Sequence, residues 1–401
     1  MKTKVRVGLA TAAAGAMTFA MAAPAHADYA PSAADAVGVG SDTVQYLMDF
    51  GADGDTGGDL GYNSAGNVNK LVSFDATPDA NARAGYLNGS TNATLLPLNP
   101  TIVLRAGTNP VQRPNGSGAG IAALLADANT TAFPDGEISY VRASRLPTGA
   151  EETAAGTAGF GGLHVVKLGS EDLQLAELKT GSNAVPLSAA QLYHVYQCDA
   201  GFTHWNDSGI GGSSSDSIDP IIPQAGSGTR SSFLSDIETA AGQSTITLGG
   251  CVKTSEENDP TAITSGNFGP AADAIVPFSG SRLALYNSGY FHDPATAFPG
   301  GAALSPGIKM DTGTVLGPVP TGSTAPNVAY DDNRGLFIVF KQKDLSSSTP
   351  FQPGIAKNLW QTLFSSSAGT PYFKSAPGQA LVAAAGATGG YKDCGVNPTS
   401  C

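Results

Sequence analysis

Charged residues are scarce in this chain. Asp, Glu, Lys and Arg make up 13% of its 401 residues, about half the share found in typical globular proteins. Acidic residues outnumber basic ones by 33 to 21, and the formal net charge is -12. Nucleic acids and anionic membrane surfaces attract proteins through patches of Lys and Arg. The composition therefore argues against a nucleic acid or a membrane surface as the partner.

Motifs of catalysis and of metal binding are also missing. No serine has Gly two residues before and two residues after it, as a nucleophile elbow requires, and no phosphate-loop lysine motif is present. The histidines beyond residue 27 lack metal-ligand spacing, and the acidic pairs at 151–152 and 256–257 are expected to be solvated faces. We therefore expect no catalytic residue, no cofactor and no metal site. The histidines concerned are His164, His194, His204 and His292.

The N-terminus has the pattern of a cleaved secretory signal peptide. Three basic residues within the first six precede an apolar, Ala-rich stretch over 7–23, and Ala-His-Ala over 25–27 supplies small residues for cleavage. We expect residues 1–27 to be removed and the protein to be exported; a membrane anchor is the alternative. No cysteine lies near the cleavage site, so no lipid anchor is expected there.

Four cysteines follow the leader, Cys198, Cys251, Cys394 and Cys401. An even number of cysteines in an exported chain indicates disulfides. Cys394 and Cys401 would close a short C-terminal loop, which would leave Cys198 for Cys251, although three pairings remain open. A zinc site is the alternative, and the lack of any C-x-x-C motif counts against it.

Strands and helices alternate along the chain, which favours an α/β protein with parallel sheets. Residues 151–162, rich in Gly and Ala, are predicted to form a flexible loop. The first predicted strand ends near 40. The other predicted strands span 101–104, 138–141, 163–168, 274–278 and 335–340. The first predicted helix begins near 44. The other predicted helices span 121–128, 187–196, 231–240, 353–363 and 378–385.

One local pattern occurs three times: Gly-Ser-Asp-Thr over 40–43, Gly-Ser-Gly-Ala-Gly over 116–120 and Gly-Ser-Gly-Thr over 226–229. Each turn precedes a predicted helix, whose first N–H groups are free and carry partial positive charge. Glycine lets the backbone approach a ligand closely, and the hydroxyls add donors. Each turn alone is better explained as a helix cap. Three that converge would form a site for an anion.

These segments resemble the substrate-binding component of the phosphate ABC importer, which has a type II periplasmic-binding-protein fold. The resemblance covers about residues 36 to 365 and leaves out 50–100 and the C-terminal tail. Its most specific part is 225–230, Ala-Gly-Ser-Gly-Thr-Arg. The other matching segments are 38–43, 116–120, 142–145, 187–192, 203–207, 274–279 and 335–340.

The resemblance implies an α/β clamp of two lobes. Lobe one would comprise 28–165 and the return segment with its tail, 335–401, and lobe two would comprise 166–334. An inorganic oxyanion, phosphate in the first place, would lie in the cleft. The membrane subunits of an ABC importer would recognise the closed form. A monomer is expected.

The resemblance also implies the ligand contacts. By position they are Ser41, Asp42, Thr43, Ser117, Gly118, Ser144, Arg145, Ser227, Gly228, Thr229 and Arg230. Two positions depart from the family, because Arg145 stands where the family has Asp and Pro223 stands where it has Arg. Arg145 or Arg230 would then supply the guanidinium.

Asp42 would be the proton acceptor that favours phosphate over sulfate. If Asp42 only caps its helix, sulfate, another oxyanion or an organic acid is equally open. Two other functions also stay open: a secreted protein that binds or senses an anion without transport, which the missing lipid-anchor cysteine supports, and a secreted phosphatase-like hydrolase.

Overall fold

The computed structural model describes residues 30–55, 57–76, 101–127, 129–178, 181–287, 316–318, 331–347, 349 and 358–401. The predicted signal peptide lies outside these residues, and so does most of the segment 288–330. Within the described part of the chain, no helix is both long enough and apolar enough to cross a membrane.

The described residues form an α/β structure with twelve strands and nine α-helices. The strands are β1 (Ala36–Gly40), β2 (Leu71–Ser73), β3 (Thr101–Ile102), β4 (Val111–Gln112), β5 (Tyr140–Ala143), β6 (Leu163–Leu178), β7 (Asp219–Pro223), β8 (Lys253–Ser255), β9 (Ala274–Ser279), β10 (Leu316–Pro318), β11 (Asp331–Lys341) and β12 (Thr388–Val396). The helices are α1 (Gln45–Asp53), α2 (Ser117–Ala126), α3 (Gly149–Thr157), α4 (Ala189–Gln197), α5 (Gly228–Ala240), α6 (Thr261–Thr264), α7 (Gly280–Asn287), α8 (Leu359–Leu363) and α9 (Ala376–Ala384).

One mixed sheet of ten strands runs through the molecule in the order β2-β1-β5-β11-β6-β9-β7-β8, with β10 and β12 also paired to β6. β1 is parallel to β2 and β5, and β7 is parallel to β8 and β9. The expectation of parallel sheets is therefore correct only for these two ends. Between these ends the long strands β6 and β11 run antiparallel. β6 leads the chain away from the end that contains β1, β2 and β5, and β11 leads it back.

Buried apolar side chains form three clusters. The cluster around Tyr196 and Trp205 takes all its buried members from residues 173–275. The cluster around Ile121 takes its buried members from residues 37–165 and from β11. The third and largest draws on both parts of the sheet and on the C-terminal helices. The lobe boundaries after 165 and 334 stay predictions.

The predicted loop at 151–162 is wrong, because most of it belongs to α3. Thr148 caps this helix: its side chain accepts a hydrogen bond from the Glu151 N–H, and the Glu151 carboxylate accepts one from the Thr148 N–H. This reciprocal capping box fixes a helix start even in a Gly- and Ala-rich sequence. β6 also runs ten residues beyond the predicted strand, and β12 was not predicted at all.

The cysteine prediction is confirmed. Cys198 is bonded to Cys251, and Cys394 to Cys401. Cys198 lies at the C-terminus of α4 in the left-handed conformation, with φ of 60°. The first disulfide therefore ties the end of α4 to the segment that leads into β8.

Candidate functional site

The three Gly/Ser turns meet at one place. The Ser144 hydroxyl, just after β5, lies 3.3 Å from the Ser117 hydroxyl at the start of α2 and 3.4 Å from the Ser41 hydroxyl after β1. The Thr43 and Thr229 hydroxyl oxygens are 3.2 Å apart. All five side chains are buried. Hydroxyls from segments as far as 186 residues apart in sequence therefore form one interior cluster.

Sheet topology brings these turns together. β1 and β5 are parallel neighbours, so their carboxyl ends meet at the same edge of the sheet, where open α/β sheets bind ligands. Gly40, with φ of +113°, turns the chain so that the Ser41 N–H donates to the Arg142 carbonyl at 3.0 Å. The Gly118 N–H donates to the Gly226 carbonyl at 3.0 Å, which joins the turns before α2 and α5 directly.

Ser227 and Gly228 contribute differently. The Ser227 hydroxyl accepts a hydrogen bond from the Arg230 N–H at 3.0 Å and so caps α5. Gly228 faces the Ser117 and Ser144 hydroxyls so closely that a Cβ there would lie under 3.0 Å from both. The first turn of α5 thus packs against the serine cluster through backbone atoms.

Arg334, on β11, brings a guanidinium to this cluster. Its Nε and Nη2 atoms bind Glu171 Oε1 at 3.0 and 2.6 Å. Nη2 also donates to the Thr229 hydroxyl at 2.9 Å and lies 3.5 Å from the Thr43 hydroxyl. Nη1 is buried and has no hydrogen-bond partner among the described residues. A buried donor in this position is suited to bind an anion.

Glu257 faces the same hydroxyls. Its Oε1 accepts hydrogen bonds from the Thr43 hydroxyl at 3.0 Å, from the Thr229 hydroxyl at 2.5 Å and from the Thr229 N–H at 3.3 Å. Burial, and next the Asp42 carboxylate, raise the pKa of Glu257 above its ordinary value. The expectation that 256–257 is a solvated face is wrong for Glu257, which is 2% exposed.

Asp42 has fixed partners of its own. Its Oδ2 accepts a hydrogen bond from the Asn258 amide at 3.0 Å and lies 3.5 Å from Arg282 Nη2. The Arg282 guanidinium also covers the Tyr46 ring, 4.1 Å from its centroid. α1 has no side-chain cap. Asp42 therefore does not cap α1, and its charge is balanced by Arg282.

The structure does not bring the guanidiniums of Arg145 and Arg230 into the hydroxyl cluster. Arg145 forms a bidentate ion pair with Glu151, at 2.8 and 2.9 Å, beside Gly118. Arg230 Nη1 donates to the Pro223 carbonyl at 3.0 Å. Burial lowers the pKa of Arg230. Ligand contact by these two side chains stays a prediction.

Sequence reasoning missed Glu171, Glu257, Asn258 and Arg334. A weak indication existed for Arg334, which stands immediately before the apolar run of 335–340 in a predicted strand. Nothing in the sequence indicates that Glu171 lies opposite it in the β6–β11 register. No group of His, Cys, Asp or Glu within the described ranges could hold a metal ion.

A family model described as a PBP superfamily domain matches residues 76–281, about half of the chain. The chain belongs to the PBP superfamily. This membership confirms the α/β fold expected for a periplasmic-binding-protein-like chain. No curated protein matches the sequence.

The solved structures to which this chain is similar include the following three. A putative phosphate ABC transporter substrate-binding protein from Clostridium perfringens is 18% identical with a TM-score of 0.47, and 89% of this chain and 100% of that one are covered. An ABC-type phosphate transport receptor from Vibrio cholerae is 15% identical, with a TM-score of 0.38 and coverages of 68% and 86%. PstS from Borrelia burgdorferi is 15% identical, with a TM-score of 0.38 and coverages of 88% and 98%.

Proposed function

We propose that this protein is an exported solute-binding protein that holds an inorganic oxyanion, most directly phosphate, for an ABC importer. The ligand is held where the turns after β1, before α2 and before α5 meet. Phosphate is the oxyanion indicated by the resemblance of residues 225–230 to the importer's substrate-binding component.

One observation carries the proposal: the Arg334 guanidinium contacts buried hydroxyls through Nη2, and its buried Nη1 has no hydrogen-bond partner among the described residues. Hydroxyls and helix N-terminal amides can surround an oxyanion, and a guanidinium adds charge-assisted hydrogen bonds. Arg334 would thereby supply the guanidinium that Pro223, which stands at the family's Arg position, lacks. The overall negative charge does not prevent this, because charges beyond about 8–10 Å are screened at physiological salt.

Isothermal titration calorimetry on residues 28–401 with phosphate, sulfate and molybdate tests the proposal. Arg334→Lys keeps one positive charge but loses the planar fork, so we expect phosphate to bind at least tenfold more weakly. Arg105→Lys is the matched control, since Arg105 is buried and donates to the backbone carbonyls of Ser32, Asp35 and Glu137. It should bind like the wild type.

If phosphate, sulfate and molybdate all fail to bind up to millimolar concentration, the proposal is refuted. Arg230→Ala should weaken binding if Arg230 contacts the ligand, and full affinity in that variant removes it from the site. A phosphatase assay on the same preparation decides the hydrolase alternative. Permease and ATPase genes next to this one would favour transport over binding or sensing alone.

A further inference from the structure

Glu257 occupies the place that the proposed ligand needs. We infer that Glu257 is a built-in competitor, whose carboxylate holds the donors of the oxyanion site and must be displaced when an anion binds. The inference rests on the proposed oxyanion-binding function and specifies how that same site is controlled.

The contacts of Glu257 Oε1 are those expected of a bound oxyanion. The donors are two hydroxyls, from Thr43 after β1 and Thr229 in α5, together with the Thr229 N–H. That amide belongs to the first turn of α5, where N–H groups have no partner within the helix. A single carboxylate oxygen thus joins the two segments that an anion in this site would join.

The local charges point the same way. Three carboxylates, of Asp42, Glu171 and Glu257, surround two guanidiniums, of Arg282 and Arg334. Asp42 pairs with Arg282, and Glu171 pairs with Arg334, so Glu257 is the one of these three carboxylates without a cationic partner of its own among the described residues. A second anion brought to the same donors would be repelled by Glu257 in its present position.

Displacement of Glu257 would have to come from its side chain, because its backbone is fixed: its N–H donates to the Gln224 side chain at 2.7 Å. The next residue, Asn258, is held in the left-handed conformation with φ of 57°. Oε2 is buried and has no hydrogen-bond partner among the described residues, so only one of the two carboxylate oxygens ties the side chain to the site.

Glu257→Gln tests the inference by calorimetry with phosphate and with sulfate. A neutral amide oxygen accepts hydrogen bonds about half as strong as those of a carboxylate, so the variant should bind both anions about tenfold more tightly. Glu256→Gln is the matched control, because it removes one negative charge at the adjacent residue, which bonds to Asn115 instead. It should stay within about twofold of the wild type.

Glu257→Asp provides a second variant that keeps the charge. Its side chain is one methylene shorter and withdraws from both hydroxyls, so it too should bind phosphate more tightly than the wild type. Unchanged affinity in both Glu257 variants overturns the inference while the proposed function stands. Weaker phosphate binding with unchanged sulfate binding in Glu257→Gln also overturns it, and makes Glu257 the acceptor of the ligand's proton. If no variant and no wild-type protein binds either anion, the proposed function itself fails.

Discussion

Gly228 lies where α5 packs against the serine cluster, and substituting it tests whether the three turns close on one another. A methyl group on its Cα would come under 3.0 Å from both the Ser117 and Ser144 hydroxyl oxygens. Ser117 and Ser144 are completely buried, and the Ser117 hydroxyl accepts a hydrogen bond from the Ser144 N–H at 3.0 Å. Gly228→Ala must therefore displace either the start of α5 or these two serines.

The magnitude follows from two opposing effects. Forcing an extra methyl group into a packed interior costs about 1–3 kcal/mol. The better helix propensity of Ala returns up to about 1 kcal/mol. We therefore expect the free energy of unfolding to fall by about 1–2 kcal/mol. If the displaced serines also stop donating to the ligand, phosphate affinity should fall at least tenfold, since each hydrogen bond contributes about 0.5–1.5 kcal/mol.

Gly149→Ala is the matched control for this experiment. Gly149 is also the first residue of a helix, α3, and a Cβ there would meet nothing within 4 Å. It should leave phosphate binding unchanged and leave stability equal or slightly higher. Urea unfolding and phosphate calorimetry on both variants give the two readouts. Wild-type stability together with wild-type affinity in Gly228→Ala would refute the convergence of the turns.

Two further predictions concern stability. Asp344 is fully buried, its carboxylate oxygens lack hydrogen-bond partners in the described part of the chain, and burial raises its pKa to about 8. The folded state favours the neutral, protonated carboxyl. The resulting contribution to the free energy of unfolding is complete below the unfolded pKa near 4 and is lost as pH rises through 8. The stability of Asp344→Asn relative to the wild type should therefore rise by about 4 kcal/mol between pH 5 and pH 9. An equal difference at both pH values in urea unfolding would contradict this. The cysteines joined by the first disulfide are 53 residues apart and those of the second 7, so replacing Cys198 and Cys251 by Ser should cost about 4 kcal/mol and replacing Cys394 and Cys401 about 2. A larger loss for the C-terminal pair in urea unfolding would contradict the loop-entropy reasoning.

The part of the site that the sequence made predictable is local. A Gly-Ser turn before a helix has consequences within a few residues, because glycine sets the backbone and serine or threonine caps the helix. That reasoning identified the turns at 40–43, 116–120 and 226–229 without any knowledge of distant contacts, and the resemblance then indicated Ser41, Thr43, Ser117 and Thr229 within them. It could not establish that the Ser227 hydroxyl caps α5, whereas the hydroxyls of those four residues lie in the cluster.

The part that could not be predicted depends on strand register. Arg334 and Glu171 are separated by 163 residues and become neighbours because β11 pairs with β6 directly opposite that position. A shift of that register by one residue would place the two side chains on opposite faces of the sheet. Hydrophobic patterning identified strands near 163 and 335, but it carries no information on which residues of two such strands lie opposite each other.

One of the two departures from the family pattern, Pro223, has a physical explanation. Pro223 has no N–H, ends β7 and uses its carbonyl to hold Arg230, so no guanidinium can come from that position. Arg334 instead reaches the hydroxyls from the long strand β11, where the buried Glu171 holds it in place. A buried guanidinium needs such a partner, because leaving it unpaired in the interior is strongly unfavourable. Asp42 pairs with Arg282 and Glu171 pairs with Arg334, so among the described residues Glu257 is the carboxylate of the cluster that neither guanidinium pairs with.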